Sequence, residues 1–87
     1  MYTQQEQFWA DDNAIIEFTL GHNSARATLI GSIITSDANY IVIQRYTYHE
    51  EWVQSLRKNV MVYDDMGVRS QINRASIEFM NEVVVTI

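Results

Sequence analysis

Residues 27–43 constrain the fold of this chain most, because they contain two apolar, β-branched runs separated by a short polar break at residues 36–39. Runs of this kind on either side of a turn predict two antiparallel strands joined as a hairpin. Asp37 opens the predicted turn, where its carboxylate can accept hydrogen bonds from the following backbone N–H groups. Gly31 lies inside the first run, which indicates a sharp bend or a close backbone approach. A long, bent strand is typical of a small, strongly curved barrel.

Alternation of apolar and polar residues predicts further strands along the chain. Ile16, Phe18 and Leu20 fall on one face of a first strand at residues 14–20, as expected for a half-buried strand. A hairpin turn is predicted at residues 21–24. We expect the remaining strands at residues 25–35, 40–48, 60–63, 68–72 and 77–87, with a turn or bulge at residues 64–67 and a break in the last strand near Asn81.

The N-terminal residues favour a short helix. Thr3, followed three residues later by Glu6, fits a capping box, in which the two residues satisfy each other's backbone N–H groups. We therefore predict a helix from residue 4 to about residue 10. Residues 49–59 leave two interpretations open, because the spacing of Trp52 and Leu56 suits either one or two helical turns or the tip of an extended hairpin.

The length of 87 residues allows one domain. A domain this small buries only about two-thirds of its unfolded surface. The chain has no cysteine, so a disulfide or a thiolate metal site cannot reinforce it. We therefore expect oligomerisation to add stability. The chain shows no signal-peptide or membrane-spanning pattern, which predicts a cytoplasmic setting.

The C-terminal residues 83–87 are apolar on both faces, and the chain contains no proline. An exposed strand edge of this kind invites aggregation unless another segment covers it. We therefore expect a second copy of the chain to cover this edge in a closed homo-oligomer with head-to-tail contacts.

Two segments resemble the motifs of a known family. Gly31, Ile33, Asp37 and residues 40–43 resemble the first motif of the Sm-like (LSm) RNA-binding proteins, in the form found in the bacterial RNA chaperone Hfq. Residues 72–77, an aliphatic residue, a polar turn and another aliphatic residue, resemble the second motif. Their turn departs from the arginine–glycine turn of Sm proteins and from the tyrosine–lysine–histidine turn of Hfq.

The resemblance implies a mainly β fold: a short N-terminal helix followed by a strongly bent, five-stranded antiparallel SH3-like (Sm-fold) barrel that assembles into a ring. In such rings the last strand pairs with the fourth strand of the neighbour, which implies an oligomer interface at Val68, Ile72, Val83, Val84, Val85 and Ile87. It also implies that single-stranded RNA, or DNA, binds where the two motif turns face each other, at Asp37, Asn39, Tyr40, Asn73 and Arg74. Asp37 would hold the turn; the alternative is that Asp37 and Asn39 only form the turn and contact no ligand. The resemblance also divides the single domain into a helix and turn at residues 1–12, a first motif region at 13–48, a variable loop at 49–59, and a second motif region with the C-terminal strand at 60–87.

Other candidate sites are weaker. Tyr46, Tyr48 and Trp52, with nearby cations, either stack bases or pack a hairpin, and we favour packing. The acidic doublets at residues 11–12 and 64–65 are expected to be solvated turn residues. We predict no metal, no cofactor and no enzymatic activity, since no nucleophile or phosphate-loop motif is present. The formal net charge of −5 favours an alternative function, in which a small SH3-like or OB-like barrel acts in protein–protein interaction.

Overall fold

The computed structural model describes residues 3–22 and 25–83. They form a mainly β fold with one helix, five antiparallel strands and one 3₁₀ turn: α1 (Gln4–Asp11), β1 (Ile16–His22), β2 (Ala25–Ser36), β3 (Tyr40–Val53), β4 (Lys58–Asn73), the 3₁₀ turn (Arg74–Ser76) and β5 (Ile77–Glu82). The sheet order is β4-β3-β2-β1-β5. The sheet is therefore not closed on itself, and β4 and β5 are its two end strands.

Helix α1 begins where the sequence predicts it and ends one residue later. The Thr3 hydroxyl accepts a hydrogen bond from the Glu6 N–H at 3.1 Å, which is the N-cap half of the predicted box. Glu6 and Trp9 lie three residues apart on one helix face, and both are buried. The helix packs against β2 through this face. No helix among the described residues is long and apolar enough to cross a membrane.

The core lies where α1 packs against the sheet. Ile16 and Phe18 are fully buried, as the alternation predicts, and Leu20 packs against them. The other buried members come from the helix, from the segment between α1 and β1, and from β2, β3 and β4, namely Trp9, Ala14, Ile33, Ile41, Ile43 and Ile72.

The hairpin of β2 and β3 confirms the prediction for residues 27–43. The Asp37 carboxylate accepts a hydrogen bond from the Asn39 N–H at 3.1 Å, and the Asp37 N–H donates to the Tyr40 carbonyl at 2.8 Å. Gly31 lies against the neighbouring strand, because a Cβ atom at this position would stand 2.3 Å from the Gln44 carbonyl oxygen. The sequence therefore predicts the close approach correctly.

Residues 49–59 continue the sheet. β3 and β4 pair up to Val53 and Lys58, so the hairpin interpretation is confirmed and the helical one is wrong. Arg57 in the tip has a φ of 53°. The predicted irregularity at residues 64–67 is a bulge within β4, because Gln44 pairs with Arg69 while Tyr46 pairs with Asp65.

Two predicted boundaries need correction, and a third lies partly outside the described residues. The predicted break near Asn81 is wrong, because β5 runs through this residue and pairs it with Glu17 of β1. β1 runs from Ile16 to His22, so the prediction of a turn that begins at residue 21 is wrong for Gly21 and His22, and residues 23–24 lie outside the described residues. The predicted C-terminal strand is described only as far as Val83, whose N–H donates to the Ile15 carbonyl at 2.8 Å.

Candidate nucleic-acid interface

The two turns that carry the sequence motifs lie in direct contact. The Arg74 N–H donates to the Asn39 carbonyl at 3.0 Å, and the Arg74 Nε donates to the Asp37 carbonyl at 2.6 Å. Tyr40 and Asn73, at the adjoining ends of β3 and β4, are paired. The fold thus brings together all five residues predicted to bind nucleic acid. We call this group the turn cluster: Asp37, Asn39, Tyr40, Asn73 and Arg74.

The Arg74 guanidinium is held from inside the protein by helix α1. Its Nη1 donates to the Glu6 carboxylate at 3.1 Å, and its Nη2 donates to the same carboxylate and to the Ser36 hydroxyl. The Ser36 hydroxyl also donates to Glu6 at 2.8 Å. Glu6 is 1% exposed, so the carboxylate is buried and depends on these donors. Much of the charge of Arg74 is therefore neutralised within the chain.

Both groups titrate away from their ordinary ranges. Burial alone would raise the pKa of Glu6, but hydrogen bonds from Arg74 and Ser36 and the positive charge of Arg74 outweigh it and lower that pKa below 4.5. The hydrogen bond to Glu6 raises the pKa of the Arg74 guanidinium further above its ordinary value. The ion pair is therefore fully charged at neutral pH.

The surface of the turn cluster is polar. Asn39 and Asn73 are exposed, and Tyr40 is half-buried. The Asn73 side chain accepts a hydrogen bond from the Ala75 N–H at 3.0 Å and so caps the 3₁₀ turn. An exposed asparagine amide offers donors and an acceptor to a base edge, so Asn39 is the side chain of the cluster best placed for such a contact.

The sequence does not reveal the roles of Glu6 and Ser36 at this site. Glu6 fits a capping box, which accounts for an acidic residue at that position without a distant partner. Ser36 belongs to the polar break between the two predicted strands, where a serine is expected without a distant partner. The only signal in the sequence is that the acidic residue lies three positions before a tryptophan, on the helix face that is expected to be buried. The sequence does not indicate the partner, which lies 68 residues further along the chain.

The predicted interface residues lie in different surroundings. Val68 is 47% exposed on the end strand β4. Ile72 packs in the core of its own chain, and Val83 is half-buried beside β1. Val84, Val85 and Ile87 lie outside the described residues.

The aromatic residues of the hairpin are largely on the surface. Tyr48 is exposed and its ring lies 6.0 Å from that of Tyr63, while the Trp52 indole donates to Gln54 at 3.0 Å. His49 contacts Glu51 and Asp64 at 2.9 and 3.2 Å, and the hydrogen bond with Glu51 raises its pKa above 6.5. Within the described part of the chain, no group of three or more histidine, aspartate or glutamate residues could hold a metal ion.

Comparison of the chain with protein-family models, with curated proteins and with solved structures finds no match.

Proposed function

We propose that this protein is an Sm-like protein whose strands curl into a barrel, whose copies join into a homo-oligomeric ring, and whose ring binds single-stranded RNA in RNA processing or chaperoning. The observation that carries the proposal is the contact between the two motif turns, in which the Arg74 N–H donates to the Asn39 carbonyl at 3.0 Å. Repeated around a ring, this contact would present a circle of identical polar sites to one strand of RNA.

Exposed side chains of the turn cluster would read the bases. Because Glu6 holds the Arg74 guanidinium, Arg74 supports the turns and supplies only part of its charge to a phosphate. Asn39 would then hydrogen-bond a splayed base, with Tyr40 beside it. Single-stranded DNA shares the bases and phosphates, so it is the second ligand to compare.

Fluorescence anisotropy with labelled uridine-only and adenine-only RNA, and with the matching DNA, tests the proposal. Binding should weaken as the salt concentration rises, because phosphate contacts release counterions. The variant Asn39→Asp places a negative charge at the proposed site without removing the backbone contacts of the turn. Its affinity should fall about three- to tenfold, as expected for one lost hydrogen bond and added repulsion.

Asn59→Asp is the matched control, because Asn59 is an exposed asparagine near the far tip of the hairpin. Its affinity for RNA should change much less. Equal losses in the two variants would show that only net charge matters, and the turn cluster would then not be the site.

A protein–protein interaction module is the second candidate. It is favoured by the net charge of −5 and by exposed apolar side chains on the hairpin, of which Trp52 is 59% exposed and Tyr48 is 54% exposed. If the folded protein binds none of the oligonucleotides at low salt, the anisotropy experiment favours this candidate over RNA binding.

A further inference from the structure

An open groove of about 270 Å³ lies between β2 and β3, away from the turn cluster. It is lined by residues of three strands, among them Thr28 and Ile30 of β2, Arg45, Tyr46 and Tyr48 of β3, and Met66 of β4.

The groove exists because two strands separate. β2 and β3 are paired from Gly31 and Arg45 to the hairpin turn. Before Gly31, β2 is paired with β1, whereas beyond Arg45, β3 is paired with β4. The β4 bulge opposite Arg45 brings Met66 to the same place. The groove is thus built by backbone pairing, and its shape does not depend on a flexible loop.

Arg45 lines this groove, and one of its donor groups has no partner in the described part of the chain. Its Nε is buried and has no hydrogen-bond partner among the described residues, while its Nη1 donates weakly to the Ser70 hydroxyl at 3.4 Å. A buried charged donor without an acceptor is costly, and native proteins nearly always supply a partner for such a group. An acceptor from outside the chain would remove this cost.

We propose that the groove binds a small molecule that carries an oxyanion on a flat or apolar body. The oxyanion accepts hydrogen bonds from the Arg45 guanidinium, whose planar fork matches a carboxylate or a phosphate. The body packs against Ile30, Met66 and the ring of Tyr48. The volume is sufficient for one ring and its anionic group, since a cavity of roughly 150 Å³ holds benzene.

Four probes distinguish the contribution of the oxyanion to binding from that of the apolar ring: phenyl phosphate, benzoate, benzyl alcohol and inorganic phosphate. Isothermal titration calorimetry on the full chain should show binding of phenyl phosphate or benzoate, and the tighter of the two identifies the oxyanion. Benzyl alcohol and inorganic phosphate should each bind at least about tenfold more weakly, because benzyl alcohol lacks the oxyanion and inorganic phosphate lacks the ring. Absence of binding by both charged ring probes, or equal binding of benzyl alcohol, would overturn the proposal.

Arg45→Lys tests the role of the guanidinium, because lysine keeps the charge but lacks the planar fork. Binding of the better probe should fall at least about tenfold. Arg69→Lys is the matched control, since Arg69 is exposed on β4 and does not line the groove, and its probe binding should be unchanged.

The melting temperature without ligand distinguishes a binding role from a structural one. Because the Arg45 Nε has no acceptor in the described chain, Arg45→Lys should melt at the same or a higher temperature. A lower melting temperature, or unchanged probe binding in this variant, would contradict the proposal. RNA binding at the turn cluster is a separate property, so the two proposals can fail independently.

Discussion

Glu6 and Arg74 join the helix, the hairpin turn and the 3₁₀ turn at one end of the sheet. The pair is well satisfied, since the carboxylate accepts from Arg74 and Ser36 and the guanidinium also donates to the Asp37 carbonyl. A buried pair of this kind adds little stability over an apolar pair, but losing one member leaves an unpaired buried charge. Its main consequence is that α1 is fixed to the turn cluster.

Replacing Arg74 should therefore destabilise the fold. We expect Arg74→Met to lower the free energy of unfolding by about 3 kcal/mol, because it leaves the Glu6 carboxylate buried and without its cation. Urea denaturation measures the change. The double variant Glu6→Leu with Arg74→Met should recover most of the loss, whereas Arg69→Met, at an exposed position, should change stability by less than about 0.5 kcal/mol. A double variant as unstable as Arg74→Met would contradict this account.

The lowered pKa of Glu6 makes the free energy of unfolding depend on pH in the acidic range. Since the folded pKa lies below the ordinary value of 4.5, the contribution of Glu6 is fully present above about 4.5 and is lost as the pH falls through the folded value. We expect the unfolding free energies of the wild type and of Glu6→Gln to differ most near neutral pH and to converge on acidification. Urea denaturation at a series of pH values checks this, and parallel curves would show that Glu6 does not cause the acid loss.

Local chemistry could be predicted from sequence where a residue acts on its near neighbours. The Asp37 hydrogen bond to the Asn39 N–H joins residues two apart, so the turn pattern contains it. The bond between Glu6 and Arg74 joins residues 68 apart, and nothing in either local pattern specifies the partner. Prediction therefore finds the turns but not the ion pair that holds them together.

The close approach of strands β2 and β3 depends on one glycine. Gly31 permits the close approach to Gln44 at the point where the two strands begin to separate. Gly67 has a different role, because it has a φ of 73° in the β4 bulge and open space around it. The period-two pattern predicts the strands themselves, whereas the length of the hairpin beyond Tyr48 could not be predicted, since residues 49–59 also fit a helix.

The two glycines should respond differently to substitution. Gly31→Ala should destabilise the protein by about 1–3 kcal/mol, because its Cβ would overlap the Gln44 carbonyl oxygen. Gly67→Asn should cost less than about 1 kcal/mol, since asparagine tolerates a positive φ and nothing crowds the site. Thermal unfolding followed by circular dichroism compares them. Equal losses would mean that the approach at Gly31 is not tight.

The whole molecule leaves two strand edges open. β4 and β5 end the described sheet on opposite sides, and each carries exposed apolar side chains, with Val68 47% exposed and Phe79 58% exposed. Strand pairing between β4 of one copy and β5 of the next would cover both edges in a head-to-tail ring. The composition and the apolar C-terminal segment predict this need for a partner, but a single chain does not specify the number of subunits.

A charge on the β4 edge should disrupt the proposed ring. We expect Val68→Lys to lower the mass in solution, because lysine on an edge strand opposes pairing with a neighbour. Phe8→Lys is the matched control, since Phe8 is 61% exposed on α1, away from both end strands. Sedimentation velocity compares the variants, and an unchanged mass for Val68→Lys would exclude Val68 from the interface.

We propose that copies of this chain pair through their end strands into a closed ring. Size-exclusion chromatography with multi-angle light scattering, at micromolar protein, tests it most directly. We expect a single species whose mass is a whole multiple of 10.2 kDa, greater than the monomer, and does not grow with concentration, as a closed ring requires. A species of 10.2 kDa, or a mass that rises continuously with concentration, would contradict it.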